Sequence, residues 1–176
     1  MGTSIRIDAS ELIRFARELG DEGVDIAGQE IGRAMDTVGA LIQRAAAMGA
    51  PDGVSNDLRN SILRSTSGSG LGRVVEVGTP VEYAVPVEFG VRPGAHPGLS
   101  RNGYEAVVLW FRRKLGLSQD DAESAAALFG MAIKRRGIPA HPFMAPAVDD
   151  NLAEIGATFD RAADRAVARM SKLGRP

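Results

Sequence analysis

Along two long stretches of the chain, apolar residues recur at alternating spacings of four and three, the period at which one face of an α-helix comes round. From Val24 onward, Ala27, Ile31, Ala34, Val38, Leu41 and Ala45 form one stripe; Val148, Leu152, Ile155, Phe159, Ala162, Ala166 and Met170 form another. The pattern predicts a long helix near each end of the chain. A shorter helix is expected to begin at Glu11, with Ser10 as its N-cap accepting an orphaned backbone N–H, and to end at Gly20. Gly49-Ala50-Pro51-Asp52-Gly53 stops the long N-terminal helix, because proline cannot continue the hydrogen-bond ladder.

The middle of the chain changes period. Arg73-Val74-Val75-Glu76-Val77-Gly78 alternates and is β-branched, which predicts a strand. Ser61-Ile62-Leu63-Arg64-Ser65-Thr66 is its less regular partner, and the two form a predicted β-hairpin with a flexible tip at Ser67-Gly68-Ser69-Gly70-Leu71-Gly72. Tyr83 to Phe89 suits either a short helix or an extended piece, and a Pro/Gly loop follows from Gly90 to Gly103. Tyr104 to Leu115 reads as a helix carrying Val107, Val108, Trp110 and Phe111. Ser118 caps the next helix, whose Asp120, Asp121 and Glu123 complement the positive end of the dipole while Lys134-Arg135-Arg136 complement the negative end before Gly137. Together these elements predict an α+β fold: long N- and C-terminal helices packed on a small antiparallel sheet, with a helical pair that the resemblance described below implies is inserted. A single domain over residues 1–176 is expected, with that implied insertion at about 99–137 and flexible termini at about 1–9 and 171–176.

Composition narrows the chemistry. The 176 residues include no cysteine, which excludes disulfides, thiolate metal sites and thiol nucleophiles and is compatible with a reducing cytosol. Lys and Arg number 21 against 22 Asp and Glu, a balance that argues against a dedicated nucleic-acid binder while leaving room for a local basic patch. No apolar run approaches the ~20 residues of a membrane span, and the start of the chain carries no unbroken apolar segment, so neither an anchor nor a targeting leader is expected.

Candidate catalytic residues do not assemble into a pattern. His96 and His141 each precede a proline and have no carboxylate at ligand-like spacing, so no metal site and no cofactor is expected. Gly68-Ser69-Gly70-Leu71-Gly72 lacks the Gly-Lys-Ser/Thr end of a phosphate loop and reads as a hairpin turn. Glu76, Glu82 and Glu88 read as solvated or interface carboxylates. Arg112-Arg113-Lys114 and Lys134-Arg135-Arg136 read as helix C-terminal charge; a joint DNA-facing surface is the alternative, and a small hydrolase using His96 or His141 with a nearby Glu is a second.

Three short segments occur in a telling order: Ser55-Asn56-Asp57-Leu58-Arg59-Asn60-Ser61-Ile62, then Val81-Glu82-Tyr83-Ala84-Val85-Pro86-Val87-Glu88-Phe89-Gly90, then His141-Pro142-Phe143-Met144-Ala145-Pro146-Ala147 opening the last helix. This order resembles the HK97 gp10-like family of siphovirus tail-completion and neck proteins, related in pattern to lambda minor tail protein Z, over about residues 11 to 165. Asn56 or Asp57 stands where the family often has Gly, Val91 where it has Thr, and Met144 where it has Leu. The resemblance implies a non-enzymatic virion component of a tailed phage, a prophage or a gene-transfer agent, made in the host cytoplasm. It would form a head-tail junction ring, six copies favoured, as a tail-completion, tail-terminator or neck protein.

Its implied partners are further copies of itself, a head-connector or stopper protein, and tail-tube or terminator proteins, with passing DNA a transient contact and no membrane. The residues it marks as structural are Leu58, Arg59, Ser61, Ile62, Tyr83, Ala84, Glu88, Phe89, Gly90, Pro142, Phe143, Pro146 and Ala147; of these, Tyr83, Phe89, Pro142 and Phe143 are expected to lock the core. Candidate subunit or partner contacts lie in the two Gly-rich loops: Ser67, Gly68, Ser69, Gly70 and Leu71 in one, and Val91, Arg92, His96, Leu99 and Arg101 in the other.

Overall fold

The computed structural model describes residues 9–52, 56–95 and 99–173. Among them, eight helices and one two-stranded sheet follow in the order α1 (Ser10–Glu18), α2 (Gly20–Gly49), α3 (Asp57–Ser61), β1 (Leu63–Ser67), β2 (Val74–Gly78), α4 (Ala84–Phe89), α5 (Arg101–Leu115), α6 (Gln119–Arg136), α7 (Met144–Asp149) and α8 (Leu152–Met170). The α+β class, the long terminal helices, the antiparallel hairpin and the helical pair α5–α6 are those the sequence pattern predicts. The chain gathers into two compact units, one built from Met1–Ala46, Leu63–Gly78 and Met144–Pro176, the other from Ala47–Ile62 and Thr79–Phe143.

In the first unit α2 is the spine. Leu63 pairs with Gly78 and Ser67 with Val74, so pleat alternation puts Arg64, Thr66, Val75 and Val77 on one face of the hairpin. That face lies against glycines of α2 at helical spacing. A Cβ on Gly28 would come within 2.8 Å of Gly70 Cα, and one on Gly39 within 2.5 Å of Val75 Cγ1. Gly32 faces the stem of Arg73. Each glycine inside a helix costs about 1 kcal/mol relative to alanine, and here the missing side chain admits another backbone or side chain. Asp36 stands on the same face: its carboxylate accepts from Arg73 Nη2 at 2.6 Å, and its backbone carbonyl accepts from Arg64 Nη1. On another face of α2, Ile26 and Ala27 pack with Ala16 of α1 and Ala166 and Met170 of α8, and Leu71 from the hairpin tip joins them.

Several boundaries differ from the pattern, each for a local reason. Ser10 is the first helical residue, not the cap; Ala9 holds the cap position without a side-chain hydrogen bond. The first strand begins at Leu63, two residues later than Ser61, because Asn56 at φ 54° opens a helical turn over Asp57–Ser61 that turns Leu58 and Ile62 inward. The C-terminal stripe is split by a turn at Asp150 and Asn151. The phase of α8 shifts, leaving Leu152 exposed and placing Thr158 on the buried face, where its hydroxyl donates to the Glu154 carbonyl at 2.7 Å.

In the second unit the stretch Tyr83 to Phe89 resolves into helix α4. Ser100 caps α5 by accepting from Gly103 N at 3.2 Å, so this helix begins at Arg101, three residues before Tyr104; Ser118 caps α6 in the same way through Asp121 N. Val108, Ala122 and Ala126 form the contact of α5 with α6, and Phe111 meets Trp110 and Phe129 edge-on. The inserted pair leaves and returns through one pinned doorway: Val91 and Ile138 exchange backbone hydrogen bonds at 2.8 and 2.9 Å, and Gly94 N donates to Lys134 O at 2.9 Å.

Two alanine substitutions separate contact from propensity. Gly28→Ala is expected to cost about 1–3 kcal/mol by overpacking against Gly70. Gly156→Ala, on α8 with nothing near the new methyl, is expected to gain roughly 0.5–1 kcal/mol from helix propensity. Thermal melts followed by circular dichroism should move in opposite directions, roughly 2–4 °C per kcal/mol.

Candidate functional site

Three stretches of the motif segments, residues 56–62, 81–90 and 141–143, fall in the second unit. Leu58, Ile62, Ala84 and Phe143 are all buried. Phe143, 2 % exposed, lies against Gly49, and its backbone N–H donates to the Glu88 carboxylate at 2.7 Å. Glu88 is therefore a buried acceptor and not a solvated carboxylate; Glu76 and Glu82 are exposed. Ala84 and Glu88, four apart, are the inward face of α4. Arg59 closes the end of α2: Nε donates to Ala47 O at 2.9 Å, and Nη2 reaches Ala50 O at 3.3 Å and Asp52 Oδ1 at 2.7 Å. Ser61 Oγ donates to Leu58 O and lies 2.6 Å from Thr79 Oγ1, which also accepts from Val81 N.

Gly90 has φ +70°, and a Cβ there would come within 2.7 Å of Ile138 O and 2.8 Å of Ala140 N, so only glycine suits this end of α4. Val87 O accepts from His141 N at 2.8 Å. Pro146 and Ala147 fall in α7, in the first unit, with Ala147 buried.

The other side of α4 is open. Val85 is 63 % and Phe89 61 % exposed, four residues apart, with Tyr83 also largely exposed. The expectation that Tyr83, Phe89, Pro142 and Phe143 lock the core holds for Phe143 alone. A helix of six residues is too short for periodicity to reveal which face turns inward, so sequence reasoning missed the outward pair. Burial, the charge of Asp57 and a backbone hydrogen bond at Leu58 act on the Tyr83 phenol, with the net effect of raising its pKa above the ordinary value.

The candidate partner contacts fall in both units. Ser67, Gly68, Ser69 and Gly70 are exposed in the hairpin tip, which is a shaped turn seated on Gly28, and Leu71 is half-buried in the core of the first unit. In the second unit Val91 is tied into the bridge to Ile138, Arg92 is exposed, Leu99 packs against Gly130 of α6, and Arg101 starts α5 instead of lying in a loop. His96 lies outside the described residues.

One buried charge in the first unit gave no signal in the sequence. Glu30, 2 % exposed on α2, accepts from Arg33 Nη1 at 2.9 Å and Arg169 Nη1 at 2.7 Å through Oε1, and from Arg165 Nε at 3.0 Å through Oε2. Burial opposes its charge, but hydrogen bonds from Arg165 and Arg169 and the charges of Arg33 and Arg165 outweigh that, holding the carboxyl below its ordinary value. The site reads as a structural clamp between α2 and α8, since every carboxylate oxygen is taken by arginine.

Among the described residues no three His, Asp or Glu side chains gather as metal ligands, and His141 is exposed. The two basic triplets sit where the helices end, as read from sequence, with the start of α6 next to the first triplet and the second about 22 Å further along its axis.

Residues 10–90 match the model of the HK97-gp10-like family, described as "Bacteriophage HK97-gp10, putative tail-component". The match covers two of the three motif segments, and over these residues the chain is similar to phage tail components. No curated protein and no solved structure matches the chain.

Removing Glu30 should unmask its clamp. Glu30→Gln is expected to cost about 1–3 kcal/mol, as when charge-assisted hydrogen bonds to a buried group are weakened while the half-exposed arginines stay hydrated. Because the folded pKa is depressed, the stability Glu30 contributes is complete above its ordinary value of 4.5 and disappears as pH falls through the folded value. Chemical denaturation across that acid range should show a flatter pH dependence for Glu30→Gln than for the parent. Glu88→Ala, which strands the Phe143 N–H, is expected to cost about 1–3 kcal/mol in the same measurement.

Proposed function

We propose that the protein is a structural virion component of a siphovirus-like phage, prophage or gene-transfer agent, and forms a ring at the head-tail junction. The observation that carries this reading is the family match over residues 10–90. Its motif segment Tyr83 to Phe89 builds a helix with an acidic anchor inside and Val85 and Phe89 outside. An apolar pair presented on a short helix held from behind is suited to a neighbouring subunit, since solvent-exposed aromatics at protein surfaces mark contact sites. A ring requires two different complementary patches on each subunit. Six copies are favoured, with a head connector or stopper on one side and tail-tube or terminator proteins on the other. The role is assembly and not catalysis, consistent with side chains that serve as clamps and caps.

Native mass spectrometry of the purified chain, with imaging of particles that contain it, tests this reading. A closed ring of defined copy number at one end of the tail is expected, and Phe89→Asp should abolish it while leaving stability within about 0.5 kcal/mol, as for an exposed position. A chain that stays monomeric and never joins a particle overturns it.

A further inference from the structure

The inserted segment 99–137 carries a charge of the opposite sign to the rest of the chain. It holds seven basic residues against four acidic, leaving fourteen against eighteen elsewhere among the chain's 21 and 22. Of its seven cations Arg101 pairs with Glu105 within α5, whereas Arg112, Arg113, Lys114, Lys134, Arg135 and Arg136 have no ion pair among the described residues. Outside the insertion Arg33, Arg59, Arg64, Arg73, Arg161, Arg165 and Arg169 are held in ion pairs, and the unpaired Arg14, Arg17, Arg44, Arg92 and Lys172 form no triplet. The six unpaired cations of the insertion are all exposed. Beside them the same two helices expose Leu109, Leu115, Leu128 and Met131. The family match ends at residue 90, before this segment begins.

The complement lies in the first unit. Residues 11–25, where α1 turns into α2, hold five carboxylates against two arginines. Glu18, Glu22 and Asp25 are exposed and without ion pairs among the described residues. Glu11 and Glu18 flank the exposed Phe15 at helical spacings of four and three on α1. An apolar ring framed by acids faces solvent on one part of the chain, and leucines framed by cations on another.

We infer that the α5–α6 pair of one copy docks on the acidic α1–α2 corner of the next copy. The deduction rests on the self-assembly reading above and deepens it, by naming two surfaces of a heterologous contact. Opposite free charges steer the encounter and fix its register, while the exposed leucines and Phe15 supply apolar burial. Because the two surfaces differ, each copy offers one and receives the other, which is the geometry a ring or filament needs.

Charge reversal on the full chain tests the pairing, with assembly read by sedimentation and native mass at low and high salt, and folding checked by thermal melts. Wild type is expected to associate more weakly as salt rises. The triple variant Arg112→Glu, Arg113→Glu, Lys114→Glu should associate at least tenfold more weakly with an unchanged melt, as should Glu18→Lys, Glu22→Lys, Asp25→Lys. Mixing the two variants, or combining all six changes in one chain, should restore association. Wild-type assembly by the first variant overturns the inference while leaving self-assembly intact, and so does failure of the combined chain to recover. Loss of duplex-DNA binding by the first variant with unaltered assembly also overturns it, assigning the cations to phosphate. A wild-type chain that is monomeric throughout instead defeats the ring reading on which the inference stands.

Discussion

Everything in the first unit depends on how closely the hairpin approaches α2. A two-stranded sheet is marginal in water and needs a surface to lie on. α2 provides one by withholding side chains at Gly28 and Gly39, so that Gly70 and Val75 sit nearly on the helix backbone. The approach is fixed along the helix by Asp36, which holds Arg73 through its carboxylate and Arg64 through its carbonyl. Once seated, the tip delivers Leu71 into the cluster where Ala16, Ile26, Ala27, Ala166 and Met170 meet. One face of α2 thus receives the hairpin and another receives α1 and α8, and neither can be filled without the helix having this phase.

The chain handles its charges in two ways. Glu30 and Asp36 between them engage five arginines, Arg33, Arg64, Arg73, Arg165 and Arg169. Ion pairs of this kind contribute less to net stability than to register, since desolvation offsets much of their attraction. They define which turn of α8 stands beside which turn of α2. The cations at the ends of α5 and α6 do none of this; Gly116 N and Gly137 N donate to Arg112 O and Ile133 O at the two helix ends. They remain as charge turned outward.

The second unit explains why short, individually weak motifs carried weight through their order. Arg59 closes α2, Glu88 receives the Phe143 amide, and Gly90 lets the chain pass Ile138 and Ala140. Each of these motif residues is complementary to backbone elsewhere in the chain, and Glu88 with Phe143 joins two of the motif segments directly. The same logic separates Phe143 from Phe89. Both are phenylalanines beside prolines or glycines in sequence, yet one fills the space next to Gly49 and the other stands outside α4.

Where periodicity is local and long enough, the sequence alone determined the outcome: α2, α6, α8, the hairpin and the Ser118 cap follow from spacing, β-branching and the needs of a helix end. A helical stripe of several turns shows its phase without reference to anything else. Only the tertiary structure decided which face of α4 turned inward, where the last helix broke, that Glu30 and Glu88 were buried, and that the glycines of α2 were a docking surface and not weak points in a helix. Those outcomes depend on groups far along the chain, Arg165 for Glu30, Phe143 for Glu88 and Gly70 for Gly28. A glutamate or a glycine looks the same in sequence whether its neighbour is water or a partner far along the chain.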